Sequence, residues 1–459
     1  MNGRGVDVAQ ASRKQRNTGL EALLEQARWS RTQLAGAVNR TGAQIGMPLK
    51  YEQSAVSHWL AGTQPREQVR RVILETLERK LGRPLTYAEA GLQQPEDTKG
   101  SGGRDTVESL MDLGRADMDP SRRGVLTAGL YSAALTVPLF TEVAHAADNP
   151  DPERITKPTS RIGAGEVATV RTMTDRIADI LDELGGGHAR PMAAAFLVNT
   201  VLPYLRAAAS GKNRRDMLSA ASDLTYLTAW MAMYEREHGL GQRYYVKALK
   251  LAGEAGDHVT YCRTLRGMSL QASNLGHGSK SLDLADSAAQ AAPAAGPRLL
   301  AFLRGQQAHA AAMVGDRHQA FTRLREAEAA LSRADSRRES IGGYDRAAYQ
   351  FHVAHVLYET RDLPGSIAAL KESIRAQSRQ ERQGRVHSNA VLAHRQLELG
   401  HLEEACGTWG TFLDDYTLLS TARGDEHFRT MRRRIAPYRR VRAARELDER
   451  ARLVAESKG

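Results

Sequence analysis

The sequence predicts an all-α protein in which a few short N-terminal helices precede a long run of stacked helical hairpins. Three observations carry that reading. From about residue 165 onward the chain is rich in Ala and Leu, with few prolines and no sustained β-branched alternation. Turn residues recur through that stretch at spacings near forty residues. Only 5% of residues are aromatic while 41% are hydrophobic, a composition suited to helices that approach closely through small side chains. At 459 residues the chain is long enough for several domains.

The N-terminal elements follow from capping and periodicity. Leu20, Leu23, Leu24 and Ala27 recur at helical spacing, with Thr18 as the expected cap and Glu21 three residues later. Ser30 or Thr32 caps a second short helix whose Leu34, Ala35 and Val38 face inward, and glycines with Pro48 interrupt the chain over 41–48. A third helix is expected from about Glu52 to Leu60. Gly62 ends it, and Pro65 opens a fourth.

The third helix separates its residue types by face. Ala55, Val56, Trp59 and Leu60 form an apolar stripe, and Gln53, Ser54, Ser57 and His58 occupy much of the other side. Charge sharpens this. Between Arg13 and Lys80 there are 12 Lys and Arg against 6 Asp and Glu, within a chain whose formal net charge is +11. Slender polar side chains between basic flanks are the chemistry of base-edge reading. Gln53, Ser54, Ser57 and His58 are therefore candidate base contacts, and Arg31, Gln33, Arg40, Lys50, Arg66 and Arg70 candidate backbone contacts, to double-stranded DNA. A second basic cluster, Arg429 to Arg445, contains eight arginines and no acid.

The segments beginning Trp29-Ser-Arg-Thr-Gln-Leu-Ala and Ser54-Ala-Val-Ser-His-Trp-Leu-Ala-Gly62 resemble the Cro/C1-type helix-turn-helix of bacterial transcription regulators. The whole is similar to the actinobacterial, Streptomyces-type branch in which that domain precedes a tetratricopeptide-like region. The resemblance covers about 70 residues. It implies that Gln33 meets a phosphate and that helix three enters the major groove of a half-site read by a homodimer. One departure is visible: about a dozen residues, Arg40 to Tyr51, stand where the usual turn is short.

Residues 93–106 are polar and Gly-rich and read as a flexible linker. Ser121-Arg-Arg followed by the uncharged stretch Gly124–Phe140 and Ala144-His-Ala-Ala147 has the form of a twin-arginine export signal, but it follows some 120 residues. The stretch is short for a membrane span, so a buried or amphipathic connector is expected. Residues 1–20 hold no apolar run, which predicts a cytoplasmic chain without a membrane partner.

Hairpins are then laid out by their turns, with Gly239, Gly276, Gly315, Arg361 and Gly400 as marks. Their spacings of 37, 39, 46 and 39 are longer than the strict tetratricopeptide period of about 34. Ala308, Ala312, Ala320, Ala354 and Ala369 permit close packing, and Trp230, Tyr234, Tyr245 and Phe321 are expected in the core. Stacked hairpins leave a concave wall. Asn199, Arg266, Gln271, Asn274, Gln306, Gln350, His352 and Asn389 are the candidate lining residues for a small-molecule or peptide effector.

Chemistry-bearing motifs are absent. The 14 histidines show no convergence in sequence, and His352 and His355 lack an accompanying metal motif. No GxSxG, GxxxxGK[ST] or strand-turn-helix GxGxxG occurs. No catalytic residue, metal or cofactor is assigned, and Cys262 and Cys406 are expected to be reduced and buried. The sequence thus predicts an N-terminal helix-turn-helix domain (16–92), a linker and apolar connector (93–160), a tetratricopeptide-like α-solenoid for sensing and dimerisation (161–425), and a basic helical tail (426–459). The main functional expectation is a sequence-specific transcription regulator. The alternative is a non-enzymatic helical-repeat scaffold with weak or non-specific DNA binding. Salt dependence and the specific-to-nonspecific affinity ratio separate the two.

Overall fold

The computed structural model describes residues 16–44, 47, 49–81, 83, 85–93, 105–119, 131–133, 135, 137, 140–141, 143–144, 160–291, 296–334 and 343–458. The chain divides into two compact units, residues 1–102 with 132–134 and residues 103–131 with 135–459. Most of the twin-arginine-like segment and of the 93–106 linker lies outside the described residues.

In the first unit, Asn17 and not Thr18 opens α1 (Thr18–Ala27). Its side-chain oxygen accepts from the Leu20 amide at 2.9 Å, and its amide donates to the carbonyls of Ala90 (3.1 Å) and Gly91 (3.0 Å). One short side chain therefore caps a helix and pins the end of the unit to its start. Replacing it leaves buried polar groups without partners, so Asn17→Ala is expected to cost about 2 kcal/mol, read as a lower urea midpoint for this unit.

The second helix, α2 (Arg31–Gln44), continues through the 41–44 segment where an interruption is expected. The chain then reaches α3 (Gln53–Leu60) and α4 (Glu67–Leu81). Val56, Trp59 and Leu60 of α3 are buried together with Leu20, Leu34, Val38 and Ile73. Asn39 holds the approach to α3 by exchanging two hydrogen bonds with the Tyr51 backbone, at 2.8 and 2.9 Å, and the Tyr51 ring meets Trp59 edge-on at 5.1 Å.

The second unit begins with α5 (Thr106–Met118), then α6 (Ala164–Leu184), α7 (Gly186–Phe196), a π-helical turn (Leu197–Val201) and α8 (Leu202–Arg206). Successive pairs follow: α9 (Gly211–Tyr234) with α10 (His238–Ala255), α11 (His258–Asn274) with α12 (Gly278–Gln290), and α13 (Pro297–Met313) with α14 (Arg317–Leu331). Then come α15 (Arg346–Glu359) with α16 (Leu363–Ala376), and α17 (Arg382–Glu398) with α18 (Leu402–Tyr416). Each helix packs on its pair partner and on the next pair, the arrangement of a tetratricopeptide-like solenoid.

The turns explain why the pairs fold. Arg236, Gly256, Gly276, Gly315, Arg361 and Gly400 all adopt left-handed φ angles, which satisfies a helix end. An aspartate often follows as the next cap: Asp257, Asp316 and Asp362 accept from the amides of Thr260, Gln319 and Gly365 at 2.9–3.0 Å. Within pairs, serine hydroxyls reach the facing helix's backbone, Ser222 to Ala248 and Ser366 to Ala354, both at 2.8 Å. Ala308, Ala312, Ala320, Ala354 and Ala369 are all buried at these contacts.

The basic C-terminal segment forms α19 (Ala422–Ile435) and α20 (Arg442–Lys458). Their Phe428, Met431, Ile435, Leu447 and Val454 share a core with Trp409, Phe412 and Leu413, so the arginines are the outer face of a packed last layer. Cys262 and Cys406 are buried and unpaired. Among the described residues, no helix is long and apolar enough to cross a membrane.

Candidate ligand cavity of the repeat unit

The first helices of the pairs form one wall, and α6 packs against α9 and α17 of that wall. The two ends of the repeat run then meet. Gly187 N donates to Ser420 O at 2.9 Å, and Ser420 N donates to Leu184 O at 2.8 Å. The Glu235 carboxylate accepts from Ala422 N at 3.0 Å, Arg236 pairs with Glu426 at 2.9 Å, and Arg382 donates to Glu183 O at 2.6 Å. A cavity of about 770 Å³ lies between α6, α9, α11, α13, α15, α17 and the start of α19. That volume is within the range of small-ligand sites.

Its wall is aromatic and cationic. Tyr226, Trp230 and Tyr234 come from α9, Arg266 and Asn274 from α11, Phe302 and His309 from α13, and Phe351, His352 and His355 from α15. His387 of α17 and Arg423 of α19 complete it, with Asp179 and Asp182 of α6 opposite. Trp230 and Tyr234, expected in the core, are only half-buried and belong to this wall.

Histidines from separate pairs converge here, which corrects the expectation that they do not. The rings of His309 and His355 lie 4.7 Å apart, and Phe351 stands 4.5 Å from His355 and 5.6 Å from His387. His387 Nδ1 and His427 Nε2 share a 3.0 Å hydrogen bond, and Tyr344 Oη meets His352 Nδ1 at 2.9 Å. Burial disfavours the imidazolium throughout. His309 and His394 are pushed down to about 4, and His352, His355, His387 and His427 well below the usual histidine value, with neighbouring arginines adding to the effect. These rings are neutral near pH 7.

Two buried arginines face this region, and they differ. Arg395 donates to Ala354 O at 3.2 Å and to Ser366 Oγ at 2.6 Å while lying over the Tyr358 ring. Arg266 is 5% exposed, yet its Nε and Nη1 have no hydrogen-bond partner, and no carboxylate among the described residues pairs with it. Its guanidinium rests on rings, 3.9 Å from the centre of Phe302 and 5.6 Å from that of Trp230.

Of the eight residues assigned to a groove, Arg266, Asn274 and His352 line this cavity. Gln271 donates to His238 O at 2.7 Å inside the packing, and Gln306 bonds the hydroxyls of Ser269 and Ser273, which tie α13 to α11. Asn199 is exposed on the π-helical turn, and Gln350 is half-buried off the cavity. Asn389 lines a separate, shallower depression with Lys371 and Glu404. The groove residues expected from the sequence omit Phe302, His309, His355, His387 and Arg423; the signal for the first four is a polar or aromatic position repeated on successive first helices, and Arg423 enters from α19.

The residues assigned to DNA sit in the first unit. Gln53, Ser54 and His58 are exposed and Ser57 half-buried. Several are already engaged. Arg31 donates to Ser57 Oγ at 3.3 Å, and the Gln33 side-chain oxygen accepts from Ser30 N at 2.8 Å. Arg70 donates to Pro65 O at 2.7 Å and to Gln93 O at 3.3 Å. Arg40, Lys50 and Arg66 are exposed.

Residues 20–93 match the family model described as the SP15 N-terminal domain. No curated protein matches the chain. Among solved structures it is similar to a chain in the crystal structure of the APC/C hetero-tetramer Cut9-Hcn1. The identity there is 14%, the TM-score 0.31, and the match covers 94% of this chain and 69% of that one. The DNA-binding, Cro/C1-type helix-turn-helix and actinobacterial-regulator assignment is corrected by these findings. The N-terminal match is to the SP15 N-terminal domain, and α2 runs on to Gln44 and leaves eight residues before α3 in place of a tight turn.

Proposed function

We propose that the chain is a non-enzymatic helical-repeat interaction protein whose binding face is the inner wall of the repeat unit. The observation that carries this reading is the 770 Å³ cavity, bounded by the first helices of successive pairs and containing a buried, unpartnered cation. A fold that leaves such a group unpaired has retained something costly to folding alone. Residues 16–92 form, on this reading, a separate domain of the same chain.

The test is photo-crosslinking in the native host. Benzoylphenylalanine at Phe351, on the cavity wall, is expected to yield a discrete adduct, whereas the same group at exposed Leu453 of α20 yields none. Equal labelling at both positions, or none at Phe351, overturns the reading. Selective retention of one DNA fragment without any adduct at Phe351 also overturns it.

A further inference from the structure

Arg266 stands apart from the other buried arginines of the repeat unit, Arg190 and Arg395, because no carboxylate among the described residues balances it and Arg190 pairs with Asp117. Arg263, one helical turn away, pairs with Asp223 at 3.3 Å, and Arg395 is satisfied by a carbonyl and a hydroxyl. The Arg266 guanidinium lies against the rings of Phe302 and Trp230 with neutral tyrosines around it, and guanidinium groups do not lose their proton in proteins. A monovalent anion entering the cavity would supply the missing charge and the missing hydrogen-bond acceptors together.

We propose that the cavity binds a carboxylate carried on a flat, apolar body, the carboxylate meeting Arg266 and the body lying among Tyr226, Trp230, Phe302 and Phe351. The charge count favours a carboxylate over a phosphate dianion. Arg176, Arg266, Arg298 and Arg423 line the cavity against Asp179, Asp182, Glu183, Asp345 and Glu381, so acids already outnumber cations there and oppose a second negative charge on the ligand. The neighbouring imidazoles of His309 and His352 are neutral, so they add hydrogen-bonding capacity without further charge. The rings set the shape. Four aromatic side chains around one cation suit a planar ligand better than a flexible polar one.

The inference rests on the inner wall being the binding face, and its chemistry is tested separately from that reading. Full-length protein is titrated with 2-naphthoate and with its neutral analogue 2-naphthamide, following tryptophan fluorescence and the melting midpoint. A tripeptide, acetyl-Ala-Ala-Phe, is used in parallel as the free acid and as the amide. Each acid that binds is expected to do so at least tenfold more tightly than its amide, and Arg266→Met to abolish that preference. Arg266→Lys keeps the charge but loses the planar fork, so it is expected to bind several-fold more weakly than the parent. Response to naphthoate assigns a free organic acid, and response to the peptide acid alone assigns a chain terminus. Equal binding of acid and amide, undiminished acid binding by Arg266→Met, or no binding of either acid overturns the proposal. In the last case an adduct at Phe351 still leaves the interaction reading in place.

Discussion

Lowering the pH from about 7.5 to about 5.5 is expected to destabilise the repeat unit by about 5 kcal/mol, a fall of roughly 10 °C in its melting midpoint. Six histidines, at 309, 352, 355, 387, 394 and 427, are held below the ordinary value of 6.5 by burial. In the unfolded chain each takes up a proton as the pH falls through 6.5. In the folded chain His309 and His394 do so only near 4, and the other four only well below the ordinary value. The unfolded state therefore binds more protons across this window, and stability is full above 6.5 and lost below it. His309 and His352 are nearly inaccessible and contribute most, whereas the other four retain some surface and contribute less. His387 and His427 share a single hydrogen bond, so that pair resists double protonation in particular. Burial raises Asp223, Glu235, Glu254 and Glu359, which act in the opposite direction and offset part of the loss as they take up protons before their unfolded counterparts. Urea unfolding followed by circular dichroism at the two pH values checks this. An unchanged midpoint would show that the rings are charged in the folded state.

The stacking of helices was legible in the sequence because it depends on local periodicity and turn chemistry. Gly276, Gly315, Arg361 and Gly400 are all left-handed turn residues in the structure. The first turn was misplaced. Gly239 marks it in the sequence, but Arg236 takes the left-handed conformation and Gly239 is buried inside α10. A left-handed arginine carries no compositional signature, whereas a nearby glycine invites the wrong boundary. Asn17 was passed over for Thr18 for a related reason: its value lies in the distant carbonyls of Ala90 and Gly91, which local pattern does not contain.

The cavity was legible only in part. Arg266, Asn274 and His352 are polar positions on first helices, and pattern alone finds such positions. Pattern does not distinguish Arg266 from Arg263, three residues away, because the difference is whether an acid such as Asp223 lies within reach. The histidines are dispersed over more than a hundred residues, and only stacking brings them into one column. Gln271 and Gln306 show the converse. Both are polar and correctly spaced, yet their amides are used to join neighbouring helices. Closure of the repeat run, which turns a wall into a cavity, depends on residues more than 180 positions apart.

That closure makes Gly185 a sensitive backbone position of the repeat unit, and Gly185→Ala is expected to cost about 3 kcal/mol. Gly185 lies at φ 90° and ψ 168°, a region open essentially to glycine alone. A Cβ there would stand 2.4 Å from Ser420 O, the same oxygen that accepts from Gly187 N. The methyl group therefore cannot be accommodated while the two backbone hydrogen bonds at Ser420 persist. Gly315→Ala provides the control. Gly315 also has a left-handed φ, 86°, but no atom lies within 4 Å of its Cβ position, so only the backbone penalty of about 1 kcal/mol applies. Repeat stacks are stabilised chiefly between neighbours, so releasing the closure should leave the middle pairs α11 to α16 folded. Hydrogen exchange is expected to accelerate around 181–187 and 418–424 in Gly185→Ala and to stay unchanged in the middle pairs. Small-angle scattering should show a larger radius of gyration, and the acid preference of the cavity should weaken, since Arg423 and α6 no longer face Arg266 across an enclosed space. If Gly185→Ala matches Gly315→Ala in exchange, size and binding, the contacts at Ser420 do not hold the cavity shut, and its enclosure comes from the stacking of the pairs alone.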